Sequence, residues 1–337
     1  MSTIIEIEAS KITNAINFAK LKDKSILITG ASGLVGLFLI SSLKRVQKDL
    51  NISITAWVNN EVPDFIETNF KNCNIIKGDI TDIEIFKKIP QFDYVIHSAG
   101  YGQPIKFVKN KVKTIQINTE STTRLFNLLK KEGTFLFISS SEIYNGLETV
   151  NITEDMMGNT NTNHFRSCYI EGKKCGESIC QAFTEDGYNV KIARLSLAYG
   201  PGTRRDDERV INTFIKKGLQ NDSINLMDNG SAIRTYCYIT DAVEMLWNIA
   251  LNGRETVYNV GGVTTTSIVE LANTIGKLIN KPVQLPSVLQ PLEGNPKIVN
   301  ISCARYITEF NKTVFVPLKE GIEKTINWYK LIFNYEN

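Results

Sequence analysis

From Ser25 onward, short apolar runs alternate with stretches whose apolar residues recur at helical spacing. SILIT at 25–29, ISITAWV at 52–58, residues 74–77, YVIH at 94–97, FLFIS at 135–139 and KIARL at 191–195 have the length and β-branched character of strands. Between them the pattern predicts helices over 34–46, 119–131 and 169–184. Strands separated by helical crossovers predict an α/β fold built on a parallel, doubly wound sheet. Ahead of this region, Ile4, Ile5, Ile12, Ile16 and Phe18 predict a short amphipathic helix docked on the protein or on a partner. After Tyr199-Gly200-Pro201-Gly202 the rhythm loosens. The pattern there predicts a helix over 209–219, a strand over 223–227 and a strand-to-helix junction at 238–241. Ser267 and Glu270 form an S-x-x-E capping box, 282–296 reads as a Pro-containing surface loop, and a helix over about 318–333 closes the chain. The chain thus divides into an extension (1–23), a larger unit (24–200) and a smaller α/β lobe (201–337) woven onto it.

The composition narrows the function class. The 337 residues are 42% hydrophobic and 22% charged with a net charge of +3, and no Lys/Arg run forms a polybasic patch, which argues against a nucleic-acid partner. The six cysteines (73, 168, 175, 180, 237, 303) show no C-x-x-C spacing, and the only histidines are His97 and His164. That set predicts neither a metal site nor a disulfide scaffold, but reduced thiols in a cytoplasmic protein. The first residues lack a secretory leader's apolar core, and no stretch is long and apolar enough to span a bilayer, so no membrane partner is expected.

Three segments carry candidate chemistry. Gly30-Ala31-Ser32-Gly33-Leu34-Val35-Gly36 follows the first strand and opens a helix, where glycines let the backbone approach a pyrophosphate resting on the helix N-terminus. At the end of the second strand, where a ribose-binding acid usually stands, this chain has Asn59. An amide there can still hold a ribose hydroxyl, so NAD is preferred with NADP left open. Asp79, after the third strand, suits an adenine edge or a helix cap. Ser139 through Tyr144 (SSSEIY) brings Ser140, Ser141 and Glu142 to the carboxyl edge of the sheet. Tyr169 and Lys173, four apart on a helix, share one face, and the ammonium is expected to draw the phenol down towards neutrality as a general base.

Taken in order, GASGLVG, the HSAG at 97–100, Asn118, SSSEIY and Tyr169-x-x-x-Lys173 resemble the extended short-chain dehydrogenase/reductase family, in the branch that modifies nucleotide sugars. The likeness runs from about residue 24 to 333. It implies a Rossmann domain over 24–200 holding NAD, a nucleotide-sugar lobe over 201–337, and a homodimer through a four-helix bundle. By the same resemblance Ile80, Ser98, Ala99, Gly100 and Asn118 join the glycine turn in holding cofactor. Tyr101, Gln103, Arg209, Arg234 and Lys297 would face the substrate, with Arg209 and Arg234 gripping its diphosphate.

Arg166 through Lys174 (RSCYIEGKK) and SSEIY further resemble the UDP-glucuronate-decarboxylating branch. The loop Gly100-Tyr101-Gly102-Gln103-Pro104 and Lys297 depart from it. The resemblance implies oxidation at the sugar C4, with Tyr169 taking the hydroxyl proton, Ser140 bonding the same oxygen and Lys173 holding the phenolate. Loss of CO2, loss of water or reduction on the other face would then make a decarboxylase, a 4,6-dehydratase or a 4-epimerase. A catalytically silent cofactor-binding scaffold is the remaining alternative.

Overall fold

The computed structural model describes residues 3–287 and 297–334. A seven-stranded sheet forms its centre. Six of the strands are β1 (Ser25–Thr29), β2 (Ser53–Val58), β3 (Asn74–Lys77), β4 (Phe92–His97), β5 (Leu129–Ser140) and β6 (Asn189–Leu195). The seventh is the later strand Val257–Val260, which pairs with β6. Every pairing is parallel, and the spatial order is Val257–Val260, β6, β5, β4, β1, β2, β3. Strand order reverses between β1 and β4, so the crevice outside their carboxyl ends is where an open parallel sheet takes a ligand. β1 and β2 are buried almost throughout, as strands covered by helices on both faces must be.

The helices of this first part are α1 (Thr3–Ala15), α2 (Leu34–Leu43), α3 (Ile83–Phe86), α4 (Pro104–Lys109), α5 (Lys111–Asn118), α6 (Glu120–Phe126) and α7 (Ser167–Glu185). The α1 helix docks on the protein itself, against α2 and the helix Ile239–Asn252. Ile5, Ile12 and Ile16 are buried there, and Phe18 meets Trp247 edge-on at 5.4 Å. Beyond β6, a four-stranded sheet (Leu197–Tyr199, Ile233–Tyr238, Thr265–Ser267, Ile298–Val299) builds the smaller lobe. Helices Val210–Gln220, Ile268–Ile279 and Leu318–Phe333 accompany it. Ser267 and Glu270 form the expected capping box.

Some local expectations fail. The helix expected over 119–131 stops at Phe126, and β5 begins at Leu129 instead of Phe135. Lys130, Lys131 and Glu132 favour helix locally, but Leu129 pairs with Phe92 and Lys130 binds Asp93 at 2.8 Å. The strand expected over 223–227 shrinks to Ile224–Asn225, paired with Val283–Gln284 inside the expected loop. Residues 288–296 of that loop lie outside the described residues. The edge strand Val257–Val260 is absent from the sequence reading.

Candidate active site

The glycine turn sits at the end of β1, against the end of β4. Gly30 has φ of +64°, and a Cβ on it would come within 2.7 Å of the Ala99 backbone. A Cβ on Gly36 would meet the Gly30 carbonyl at 2.5 Å, so α2 starts hard against the turn. Gly33 caps α2 without any side-chain bond, leaving the first amides of the helix as bare donors beside Ser32, Leu34 and Val35. A dinucleotide's diphosphate needs that combination of close backbone and free amides, so these residues fit NAD.

Behind the turn, His97 fixes the crossing from β1 to β4. Its Nε2 lies 3.1 Å from the Ile117 carbonyl, which can only accept, so Nε2 carries the proton. Nδ1 then accepts from Thr29 Oγ1 at 2.9 Å, and Thr29 Oγ1 accepts from the Ala99 amide at 3.1 Å. Burial, with Lys173 nearby, pushes His97 down to about 3, so it is neutral. Ser98 Oγ donates to the Thr29 carbonyl.

Farther along the crevice, Asp79 accepts from the Thr81 amide at 3.0 Å and is paired with Lys113, beside buried Ile80. The Asn59 side chain donates to Asn60 Oδ1 at 2.9 Å and remains exposed. A Cβ on Gly100 would meet nothing within 4 Å, so that loop borders open space.

The reactive group gathers where β5 ends and α7 passes. Tyr169 stacks on Phe107, ring centroids 4.6 Å apart and 11° from parallel. Lys173 Nζ donates to the Ile138 carbonyl at 2.7 Å and stands 5.9 Å from the Tyr169 ring centroid. Burial pushes Lys173 down to about 8, against the pull of Glu177. The phenol does not move as expected. Burial raises Tyr169, with Glu142 adding to the rise; Ser140, Arg166 and Arg209 oppose it. Desolvation of a phenolate outweighs cations held at this range.

Asn118 is buried in α5, its Nδ2 bonded to the Thr114 carbonyl at 2.7 Å and its Oδ1 without a partner among the described residues. Gly172 and Gly176 let α7 run close past it. A Cβ on Gly176 would sit 2.7 Å from the Asn118 carbonyl.

Glu142 is not free. Arg166 Nε donates to its Oε2 at 3.1 Å and Arg166 Nη2 to its Oε1 at 2.7 Å, a two-point fork. Arg166 was not singled out in the sequence reading, although it heads the RSCY segment just ahead of α7. Ser141, Glu142 and Arg234 line one small cavity with Tyr144, Leu197 and Val299.

The residues assigned to the substrate divide. Arg234 borders that cavity, with Nη1 on the Ile233 carbonyl at 2.7 Å. Arg209 instead turns onto Asp207 at 2.7 Å and onto the Ala198 carbonyl at 2.9 Å. Gln103 accepts from the Glu208 amide at 3.2 Å, and Tyr101 packs with Phe107 and Tyr169. Lys297 is exposed and 3.4 Å from Glu148, next in the chain to the cavity-lining Ile298. Among the described residues no cluster of three or more His, Cys, Asp or Glu could hold a metal. No described helix is long and apolar enough to cross a membrane.

Comparison with known proteins agrees with this geometry. Residues 26–261 match the NAD dependent epimerase/dehydratase family. UDP-glucuronic acid decarboxylase 1 of Xenopus tropicalis is 28% identical over 333 residues, covering 94% of this chain and 74% of that protein. UDP-glucuronic acid decarboxylase 6 of Arabidopsis thaliana is 29% identical over 301 residues, covering 88% and 86%. The fold is similar to that of UDP-glucuronic acid 4-epimerase from Bacillus cereus, solved with UDP-glucuronic acid and NAD. The TM-score is 0.76 at 22% identity, covering 91% of this chain and 99% of that one. An epimerase of Methanothermobacter thermautotrophicus gives a TM-score of 0.82 at 21% identity, covering 96% and 97%.

Proposed function

The chain belongs to the NAD-dependent epimerase/dehydratase family, and from that premise we propose that it converts UDP-glucuronate to UDP-xylose by C4 oxidation, loss of CO2 and re-reduction. NAD supplies a hydride acceptor at the sugar C4 when bound. Tyr169 takes the C4 hydroxyl proton, and Ser140, which already acts on the phenol, bonds the same oxygen. Lys173 holds the phenolate with its charge. Asn118 keeps α5 in register with α7 beside them. With a ketone at C4, the carboxylate on C5 belongs to a β-keto acid, which loses CO2 readily.

The fork between Arg166 and Glu142 carries this choice of reaction. Both Glu142 oxygens accept from the guanidinium, which fixes the carboxylate in place at the cavity. Its neighbour Ser141 is neutral. A departing hydroxyl needs a proton from an acid at this place, whereas CO2 departs without one and the C5 enolate it leaves takes its proton from water before C4 is reduced again. Arg166 and Arg234 against Glu142 leave one surplus positive charge at the cavity, which suits a sugar carrying a carboxylate.

The test is incubation with UDP-glucuronate and the common UDP-, dTDP- and GDP-hexoses, followed by mass spectrometry. Loss of CO2 from UDP-glucuronate is the expected outcome. Loss of water, or unchanged mass at a new retention time, would replace this reading with dehydration or epimerisation. No turnover of any of them leaves a sugar outside this set or the silent scaffold, and turnover surviving Tyr169→Phe would remove Tyr169 from the mechanism.

The proposed assembly is a homodimer through α5 and α7, which pack on one another. Val112 and Ile115 stand exposed on α5, 72% and 43% accessible, and a second copy meeting them would complete four helices.

A further inference from the structure

Arg204 belongs to none of the motifs. It follows the turn at Gly200-Pro201-Gly202, and its Nη2 donates to the backbone oxygen of Ser32 at 3.2 Å and to the Ser32 hydroxyl at 3.0 Å. The segment beneath it is fixed. Trp328 Nε1 donates to the Thr203 carbonyl at 2.9 Å and the Tyr329 hydroxyl to the Arg204 carbonyl at 3.3 Å. Gly202, at φ of +92°, rests on Leu34, Leu37 and Phe38 of α2, where a Cβ would come within 2.9 Å of Leu37. The guanidinium is therefore held at the lip of the glycine turn. Among the described residues its Nε and Nη1 have no hydrogen-bond or ion-pair partner.

The guanidinium adds a second positive end beside the glycine turn. The N-terminus of α2 carries about half a positive charge, and Gly33 provides no capping acceptor. Asp206, close enough for Arg204 to lower its pKa, is bonded by Lys106 at 2.9 Å. Two positive ends facing one another are satisfied by an anion that lies between them. The same segment continues to the substrate loop. Asp206 ties to Lys106, the Glu208 amide to Gln103, and Arg209 to Asp207.

We propose that Arg204 is a ligand of the cofactor's diphosphate, and that residues 203–209 transmit its occupancy to the loop at 100–106. Dinucleotide and nucleotide sugar then bind with positive coupling, which thermodynamics requires to be reciprocal. The inference rests on the family reading for the presence of a dinucleotide.

The experiment is calorimetric titration of the full chain, freed of co-purified nucleotide, with NAD+, ADP-ribose, adenosine and UDP. Arg204→Gln should weaken NAD+ and ADP-ribose by about tenfold or more, the size of a lost charge-assisted bond, while leaving adenosine unchanged. UDP should bind wild type more tightly with NAD+ present than without, and Arg204→Gln at saturating NAD+ should show less of that gain. Wild-type NAD+ affinity in Arg204→Gln overturns the proposal, as does equal weakening of adenosine, which marks a merely structural residue. If Arg204→Gln does not fold by circular dichroism, Arg204→Met answers the same question: it keeps the stem and removes the charge, so unchanged ADP-ribose affinity in a folded protein overturns the proposal. Failure of wild type to bind NAD+ at all would instead refute the family reading.

Discussion

Removing Arg166 alone would leave the Glu142 carboxylate facing Arg234 and Tyr169 without its two-point partner. The side chains are 8% and 19% exposed, so the pair is mostly desolvated. Arg166→Met should cost about 2–3 kcal/mol in a denaturant titration, below the full cost of breaking a buried pair because Glu142 still touches water. Combining it with Glu142→Gln should recover much of that loss. A merely structural fork would leave turnover per folded molecule untouched. A positioning one lowers kcat in Arg166→Met by about 100-fold, with KM far less affected. An unchanged kcat would leave the fork a purely structural contact. At this scale the sequence was informative where chemistry follows spacing. Tyr169 and Lys173 share a helix face because four residues make about one turn. Commitments made across the fold were not legible: nothing in Asp207-Glu208-Arg209 says that the arginine folds back on Asp207, and nothing near Ser32 announces Arg204.

The buried strands were legible as apolar runs, and the short exposed β3 was read as well. Strands β1, β2, β4 and β6 are largely buried apolar runs, and their length and β-branched character found them. The first half of β5 was lost because Lys130 and Glu132 are exposed and speak for helix, while its pairing with Phe92 is tertiary. The strand Val257–Val260 is four residues long and lies far along the chain from β6, so its place in the sheet is set by tertiary pairing. The α1 helix was read correctly as amphipathic, but its docking site was set by Glu8, which is buried and accepts from the Tyr238 hydroxyl at 3.0 Å. The α5–α7 pair supports a prediction of its own. If the proposed dimer forms there, Val112→Glu with Ile115→Glu should convert it to monomer in light scattering, without changing the melting of the α1 side. A wild-type monomer, or a dimer indifferent to both charges, would move the interface elsewhere.

At the scale of the whole molecule, Lys173 links the site to stability. Its ammonium titrates at 10.5 ordinarily and at about 8 in the fold. Between those values the unfolded chain binds more protons, so the cost of burying the charge is complete below pH 8 and relieved as pH rises towards 10.5. The stability of wild type minus that of Lys173→Met should therefore climb with pH across this window, by at most about 1.4 kcal/mol per unit. A flat difference would mean that the ammonium is hydrated. The division of the chain near residue 200 has another consequence, which comes from the strand Val257–Val260. It covers β6, and until it arrives the sheet ends in an open row of amides and carbonyls. As the chain leaves the ribosome, some sixty residues of the smaller lobe emerge before that row is closed. A fragment ending at 200 would keep it open permanently, ready to add a strand from a neighbouring chain. The strand that the smaller lobe returns to the main sheet thus closes the edge on which a nascent chain would aggregate.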